Sequence, residues 1–375
     1  MLRTFAEHTV RPTQSLDGLW SFLPECDKVP RGKLPTAFSR RIEVPSAWET
    51  IPDLRGYRGI GWFQRPIACS GQKHLRLRFG GVSHTATVWL DGKEIGQHYD
   101  AFTPWDLVVP APKAGTHALT LKVDNRFTEE SSLHIPNDYY TYGGITRPVE
   151  LQEVPDLFVE KLFLTPLRAG KGWDLDVRVR LRNLGETALG GALRAKVAGT
   201  EGESELAPVP GGSRKEIHFR MSGLDVREWN DLDPALYPFH IELWQDGAVV
   251  DDLIDRVGFR TVEVRGTEFL YNGKPLRLRG FNRHEDHPMY GCAIPPAGMA
   301  HDLALIEDLN ANFIRTCHYP NDMRFLDMCD ERGFYVWEES HSRQTPFDNP
   351  NFMRQISDSN VEMVENHYNH PCIIM

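Results

Sequence analysis

Hydrophobic and polar positions alternate with a period of two along much of the first two-thirds of the chain. In His74-Leu75-Arg76-Leu77-Arg78-Phe79 every second position is apolar, as in a strand with one buried face. Thr87-Val88-Trp89-Leu90 runs into Asp91-Gly92, a two-residue hairpin turn, and Lys93-Glu94-Ile95 leaves it. Leu119, Leu121 and Val123 alternate again. Short strands punctuated by Pro and Gly, with no helical period of useful length, predict a β jelly-roll over residues 1–154. Residues 155–264 form a second β stretch, opening at Pro155. Leu175, Val177, Val179 and Leu181 alternate with Asp176, Arg178 and Arg180, and Phe239, Ile241 and Leu243 precede an Asp246-Gly247 turn. A stretch of about 110 residues with this pattern suits an immunoglobulin-like β-sandwich.

The pattern changes over residues 265–375. A hairpin at Asn272-Gly273 is followed by strands alternating with helices. Residues 278–282, 313–317 and 334–337 read as strands, and residues 373–375 begin a fourth. Met299, Leu303, Ile306 and Leu309 share one helical face. Phe325, Leu326 and Cys329 mark a second helix, capped by Asn321 or Asp322 and stopped by Gly333. Val361, Val364 and Tyr368 mark a third. This order predicts parallel strands with crossover helices, with Phe281, Ile314 and Val336 on the inner face of the sheet.

Each of the first three strands runs into a polar cluster: Asn282 to His287, His318 to Asn321, and Glu338 to His341. In a (β/α)8 barrel the C-terminal strand ends form the active-site face, so the clusters predict a functional site there. An isolated histidine at such a place more often hydrogen-bonds backbone. A zinc site from His284, His287, His318, Glu339 and His341 would be an alternative. Against it, Pro288 turns His287 aside, and no helix places the rings of His284 and His287 on one face. No metal site is therefore assigned.

With 42 Lys+Arg against 52 Asp+Glu, the net charge is −10, the wrong sign for a nucleic-acid-binding surface. No apolar run approaches the ~20 residues of a membrane helix. The N-terminus lacks the apolar stretch of roughly 7–15 residues found in a signal peptide, which predicts a cytoplasmic location. The six cysteines have no CxxC spacing and read as free thiols.

The stretch Asn312-Phe313-Ile314-Arg315-Thr316-Cys317-His318-Tyr319-Pro320, continuing through Asp330-Glu331-Arg332-Gly333-Phe334-Tyr335-Val336-Trp337, resembles the signature of glycoside hydrolase family 2. That family includes β-galactosidases and β-glucuronidases. Arg279-Gly280-Phe281-Asn282-Arg283-His284-Glu285 is similar to the family's first barrel strand. Ser15-Leu16-Asp17-Gly18-Leu19-Trp20-Ser21-Phe22 and Gly143-Gly144-Ile145-Thr146-Arg147 resemble the beginning and end of its N-terminal domain. The resemblance implies a jelly-roll sugar-binding domain (1–154), an immunoglobulin-like domain (155–264) and the N-terminal part of a TIM-barrel catalytic domain (265–375, the first three βα units). It implies a retaining exo-β-glycoside hydrolase of carbohydrate metabolism, using two glutamates. The match ends a few residues short of the expected Asn-Glu. The resemblance therefore places both the acid/base and the nucleophile glutamate beyond Met375, so no catalytic residue is assigned and the chain alone is expected to be inactive. Asp138, His284, His318 and Glu339 fall at substrate-binding positions. Arg283 and Arg315 are expected to hold strand-end carboxylates. No cofactor is required, although the resemblance admits Mg2+ or Na+ in a full-length enzyme, with Glu339 helping to hold it. The expected partner is a β-glycoside, and the full-length parent is expected to be a homo-oligomer.

The opening of the chain leans toward β-glucuronidases. Arg283-His284-Glu285-Asp286-His287-Pro288 leans toward β-galactosidases, which are placed slightly ahead. Readings of another class are a carbohydrate-binding module, with Trp89, Trp105, Tyr139, Tyr140 and Tyr142 as stacking surfaces, and a silent gene fragment.

Overall fold

A computed structural model describes residues 1–27 and 34–375. The alternating segments of the first stretch pair into two facing sheets. A four-stranded sheet runs in the order Thr13–Ser15, Val149–Val154, His74–Phe79, Trp105–Val109. A six-stranded sheet runs Arg40–Val44, Gly18–Pro24, Ile60–Cys69, Gly115–Asp124, Thr85–Leu90, Lys93–Tyr99. Leu75, Leu77 and Phe79 from one sheet meet Trp20, Phe22, Phe63 and Leu121 from the other in a single core. At Asp91-Gly92 both residues have positive φ, 49° and 81°, the backbone of a type I′ hairpin. Asp246-Gly247 and Asn272-Gly273 repeat this geometry, so the three turns named from the sequence are hairpins.

The second sandwich packs a three-stranded sheet (Leu157–Ala169, Gly172–Asn183, Arg214–Leu224) on a four-stranded one (Thr200–Val209, Leu189–Val197, Tyr237–Gln245, Ala248–Val257). Leu175, Val177, Val179 and Leu181 point inward with Phe239, Ile241 and Leu243.

The last stretch carries three parallel strands, Gly280–Arg283, Phe313–Thr316 and Tyr335–Glu338. Val336 forms a parallel bridge to Ile373, where the next strand begins. Helices Pro296–Asp308, Met323–Arg332 and Phe352–His367 accompany them. Asp322 caps the second helix by accepting the Arg324 N–H at 2.8 Å, and Gly333 ends it at φ 79°. Among the described residues no helix is long and apolar enough to cross a membrane.

Two expectations change here. Ile314 and Val336 do not face a barrel interior. They are fully buried with Leu303, Phe325 and Leu326 under the first two helices. The opposite face carries Arg315 and Trp337, whose guanidinium and ring lie 5.4 Å apart. Short strands with apolar residues on both faces, here Val336 and Trp337, lose the alternation that tells the faces apart. The third helix is also rotated from the expected orientation. Val361, Val364 and Tyr368 are exposed, and Gln355 and Ser359 are buried. Its inward face is polar because it docks on polar edges of the two sandwiches. Gln355 accepts the Ser132 N–H (2.8 Å), Glu362 receives His98 Nε2 (3.0 Å), and Glu365 pairs with Arg180 (2.7 Å).

The N-terminal segment ties the three parts together. Arg3 bonds Asp327 in the second helix at 2.8 Å and lies 3.3 Å from Asp255 in the second sandwich. Glu7 pairs with Arg78 of the first sandwich at 2.6 Å. Arg11 pairs with Asp251 at 2.7 Å and also reaches Val159 O and Gln152.

Candidate functional site

His284 and His318 each follow the C-terminal end of a parallel strand, the position the barrel rule assigns to function. The structure brings their rings to 5.4 Å, almost perpendicular. Tyr139, from the first sandwich, covers both rings, at 5.5 Å from His284 and 6.2 Å from His318. Tyr319 supports His284 from below, its hydroxyl 3.2 Å from Nδ1. Burial, with the neighbouring His318, lowers the His284 pKa. Burial raises the Tyr139 hydroxyl to about 12. Both groups are therefore neutral hydrogen-bonding groups near pH 7.

Glu339 lies behind His318. Arg315 grips it with two bonds of 2.9 Å, and His318 Nδ1 approaches it at 2.7 Å. A carboxylate accepts, so Nδ1 carries a proton and Nε2 faces away on the other side of the ring. Both oxygens of Glu339 are engaged, one by Arg315 alone and the other by Arg315 and His318. Arg315 holds a strand-end carboxylate as expected. Arg283 is buried, bonding Asp302 of the first helix at 2.8 Å and Asn321 at 2.8 Å, with the strand-end carboxylate of Glu285 3.9 Å away.

Met375 stands beside the end of the third strand, where its carbonyl accepts the Glu338 N–H at 2.9 Å. The fourth strand position therefore lies next to Glu338 and Glu339 in the sheet. Glu338 itself is taken up by His367 Nδ1 of the third helix at 2.7 Å, and both groups are buried. Glu338 and Glu339 are thus each held by basic partners, Glu338 by His367 and Glu339 by Arg315 and His318.

Asp138 stands at the mouth, 60% exposed, and pairs at 2.9 Å with Arg343 from the loop after the third strand. Arg343 has no signal in the sequence, because it lies in an aperiodic loop. Arg147, the last residue of the Gly143–Arg147 motif, reaches from the first sandwich to the buried Glu285 at 2.8 Å and so fixes the sandwich against the barrel strands. Of the five aromatic residues considered for sugar stacking, Tyr139 alone lies against these histidines. Trp105 is buried between Phe79 and His98, Trp89 packs on Trp62, Tyr140 lies over Arg58, and Tyr142 bonds Asp286 at 2.6 Å.

His287 does not join the cluster either, stacking on Tyr290 at 4.8 Å. His341 turns away from the mouth into the interior, where it is fully buried. The zinc set weighed in the sequence is therefore not assembled.

The geometry is that of two strand-end histidines packed under a tyrosine from the first sandwich and backed by an arginine-held glutamate. Comparison with known proteins agrees in every segment. Residues 13–155 match the glycosyl hydrolases family 2 sugar binding domain, residues 157–260 match glycosyl hydrolases family 2, and residues 262–375 match its TIM barrel domain. A putative beta-glucuronidase of Formosa agariphila is 29% identical over 97% of this chain and 45% of its own length. A beta-galactosidase of Thermoanaerobacterium thermosulfurigenes is 30% identical over 86% of this chain and 47% of its own. The solved GH2 beta-galacturonidase of Eisenbergiella tayi, bound to galacturonate, superposes with a TM-score of 0.89 at 40% identity, covering 100% of this chain and 66% of that one. The chain spans about half the length of the curated relatives it matches.

Proposed function

The chain belongs to glycosyl hydrolase family 2, and on that footing we propose that the whole protein is a retaining exo-β-glycoside hydrolase that removes terminal β-linked hexuronic acid residues. The observation that carries the uronide is Arg343. Its guanidinium stands at the mouth beside Asp138, and its charge helps lower the His284 pKa. A guanidinium offers a planar fork that matches a carboxylate. The Asp138 pair is solvent-exposed and contributes about 0–1 kcal/mol, so a sugar carboxylate can share or replace it. The likeness to a beta-galacturonidase supports the same choice.

The residues divide the work of holding the sugar. His318 accepts a sugar hydroxyl at Nε2, its ring fixed by Glu339 and Arg315. His284 and Tyr139 contact neighbouring hydroxyls, and Asp138 accepts from another. The bond-breaking step in this family's chemistry needs two carboxylates about 5–5.5 Å apart, and none of residues 1–375 is assigned to that pair.

A β-galactoside is the second reading, supported by relatives such as the Thermoanaerobacterium enzyme. The segment that favours it in the sequence serves structure: Arg283 bonds Asp302, and Glu285 bonds Arg147. Hydrolysis of a panel of nitrophenyl β-glycosides by the whole protein, with the product anomer followed by NMR, tests the proposal. Release of a β-anomer first is expected. Release of the α-anomer, or no turnover of any β-glycoside, would overturn it.

A further inference from the structure

Beneath the cleft, where the first sandwich meets the loop after the third barrel strand, Asp100, His134 and His341 come together with no solvent contact for Asp100 and His341 and 2% exposure for His134. Their ligand atoms all lie within 4.8 Å of one another. We propose that this cluster is a structural site for a divalent transition metal, zinc by donor type, that joins the sugar-binding domain to the loop bearing Arg343.

The unpaired atoms carry the inference. Asp100 Oδ1 accepts the Phe102 N–H at 2.8 Å, but Oδ2 has no hydrogen-bond partner. Neither nitrogen of His341 has one. Buried polar atoms are satisfied in the great majority of cases, and a buried carboxylate without a cation is costly. A metal ion would use both. His134 Nε2 faces the same space, 4.0 Å from Asp100 Oδ1, and receives the Ala101 N–H at 3.2 Å. Its role as acceptor puts the lone pair on Nε2, and a bond at the long end of the range is readily exchanged for a metal bond. His341 Nδ1 lies 3.8 Å from Asp100 Oδ2. A tetrahedral ion with bonds of about 2.0–2.2 Å sets its ligand atoms about 3.4 Å apart, so these two pairs close by about half an ångström and no pair in the cluster, all within 4.8 Å, by more than about 1.4 Å. Two imidazoles and a carboxylate form a borderline donor set that suits zinc, with water in the fourth position.

The surroundings are rigid. His84 stacks on His134 at 4.6 Å, and His134 on His341 at 4.4 Å. Both nitrogens of His84 are engaged, by Thr85 and by Arg126 O, so it packs without ligating. Among the described residues, two other groups of possible ligands differ. His284, Cys317 and His318 belong to the sugar cleft. In Asp330, His370 and Cys372 the carboxylate is taken, by His370 Nδ1 at 2.6 Å and the Cys372 N–H at 3.0 Å.

The test uses the purified chain stripped with chelator and titrated with Co2+, whose tetrahedral complexes absorb in the visible. We expect about one equivalent bound with tetrahedral bands, displacement by Zn2+, and a higher unfolding temperature for the loaded protein. Asp100→Asn, which preserves volume, and His341→Phe should each abolish the bands, whereas His318→Ala in the sugar cleft should keep them. No uptake by the wild-type chain overturns the proposal without reference to any variant. Uptake that survives in both Asp100→Asn and His341→Phe, or that His318→Ala removes, overturns it as well. Glycosidase activity enters none of these readouts.

Discussion

Removing Arg11 should loosen the junction of the three parts more than any exposed ion pair would. The guanidinium and its Asp251 partner are both fully buried, joined at 2.9 and 2.7 Å. In Arg11→Ala the Asp251 carboxylate keeps one donor, the Val159 N–H at 2.8 Å, and loses its countercharge. Breaking a buried pair from one side costs about 3–5 kcal/mol. A cooperative unit of 150–250 residues shifts by about 2–4 °C per kcal/mol, so the expected drop is at least about 6 °C. Differential scanning calorimetry on the purified chain measures it. Arg11→Ala combined with Asp251→Asn should recover part of the loss, because the orphaned charge goes too. A drop worth less than about 1 kcal/mol, or a double variant no better than the single, would refute the assignment of Arg11 as a clamp.

The clamp should also be acid-sensitive, and the sign follows from its groups. Burial and Arg11 hold His8 down at about 3, from an ordinary 6.5, so its contribution is present above pH 6.5 and is lost as pH falls toward 3. Burial opposes ionisation of Glu7 and Asp327, but Arg78 and Arg3 override it and hold each at about 2; the loss should steepen as pH drops through the ordinary carboxylate range, and a flat unfolding temperature between pH 7 and 3 would contradict this. A methyl at Gly143 would sit 2.1 Å from the buried Trp48 ring, so Gly143→Ala should destabilise by about 1–3 kcal/mol or more, measured by chemical denaturation. His318→Ala in the whole protein should lower kcat/KM by roughly tenfold to a hundredfold, since leaving a buried polar group without its partner costs about 1–3 kcal/mol; unchanged kinetics would show that His318 does not hold substrate.

The sandwiches are readable in the sequence because each strand has one wet face and one dry face. Alternation alone assigns Leu175 to Leu181 inward, and the three Asp-Gly or Asn-Gly turns mark where strands reverse. The parallel strands lack that contrast, so Ile314 and Val336 carry no mark of which side of the sheet they take. The third helix is misleading for a related reason. Its docking face is built from Gln355, Glu362 and Glu365, which read as a solvated face until the sandwich partners Ser132, His98 and Arg180 are in place. At the site, His284 and His318 are visible as strand-end residues, and Asp138 only through family resemblance. Arg343 and the Asp100–His134–His341 cluster join residues that are distant in sequence and carry no periodicity.

The central claim is that Arg343 makes this cleft a reader of sugar carboxylates. The direct measurement is kcat/KM of the whole protein for nitrophenyl β-galacturonide, β-glucuronide and β-galactoside, with wild type and Arg343→Ala compared. A charge-assisted contact of about 1.5–3 kcal/mol predicts that the wild type prefers a uronide and that Arg343→Ala loses roughly tenfold to a hundredfold on it, with the β-galactoside rate little changed. A wild type that prefers the β-galactoside, with Arg343→Ala affecting all three substrates equally or none, would contradict the account.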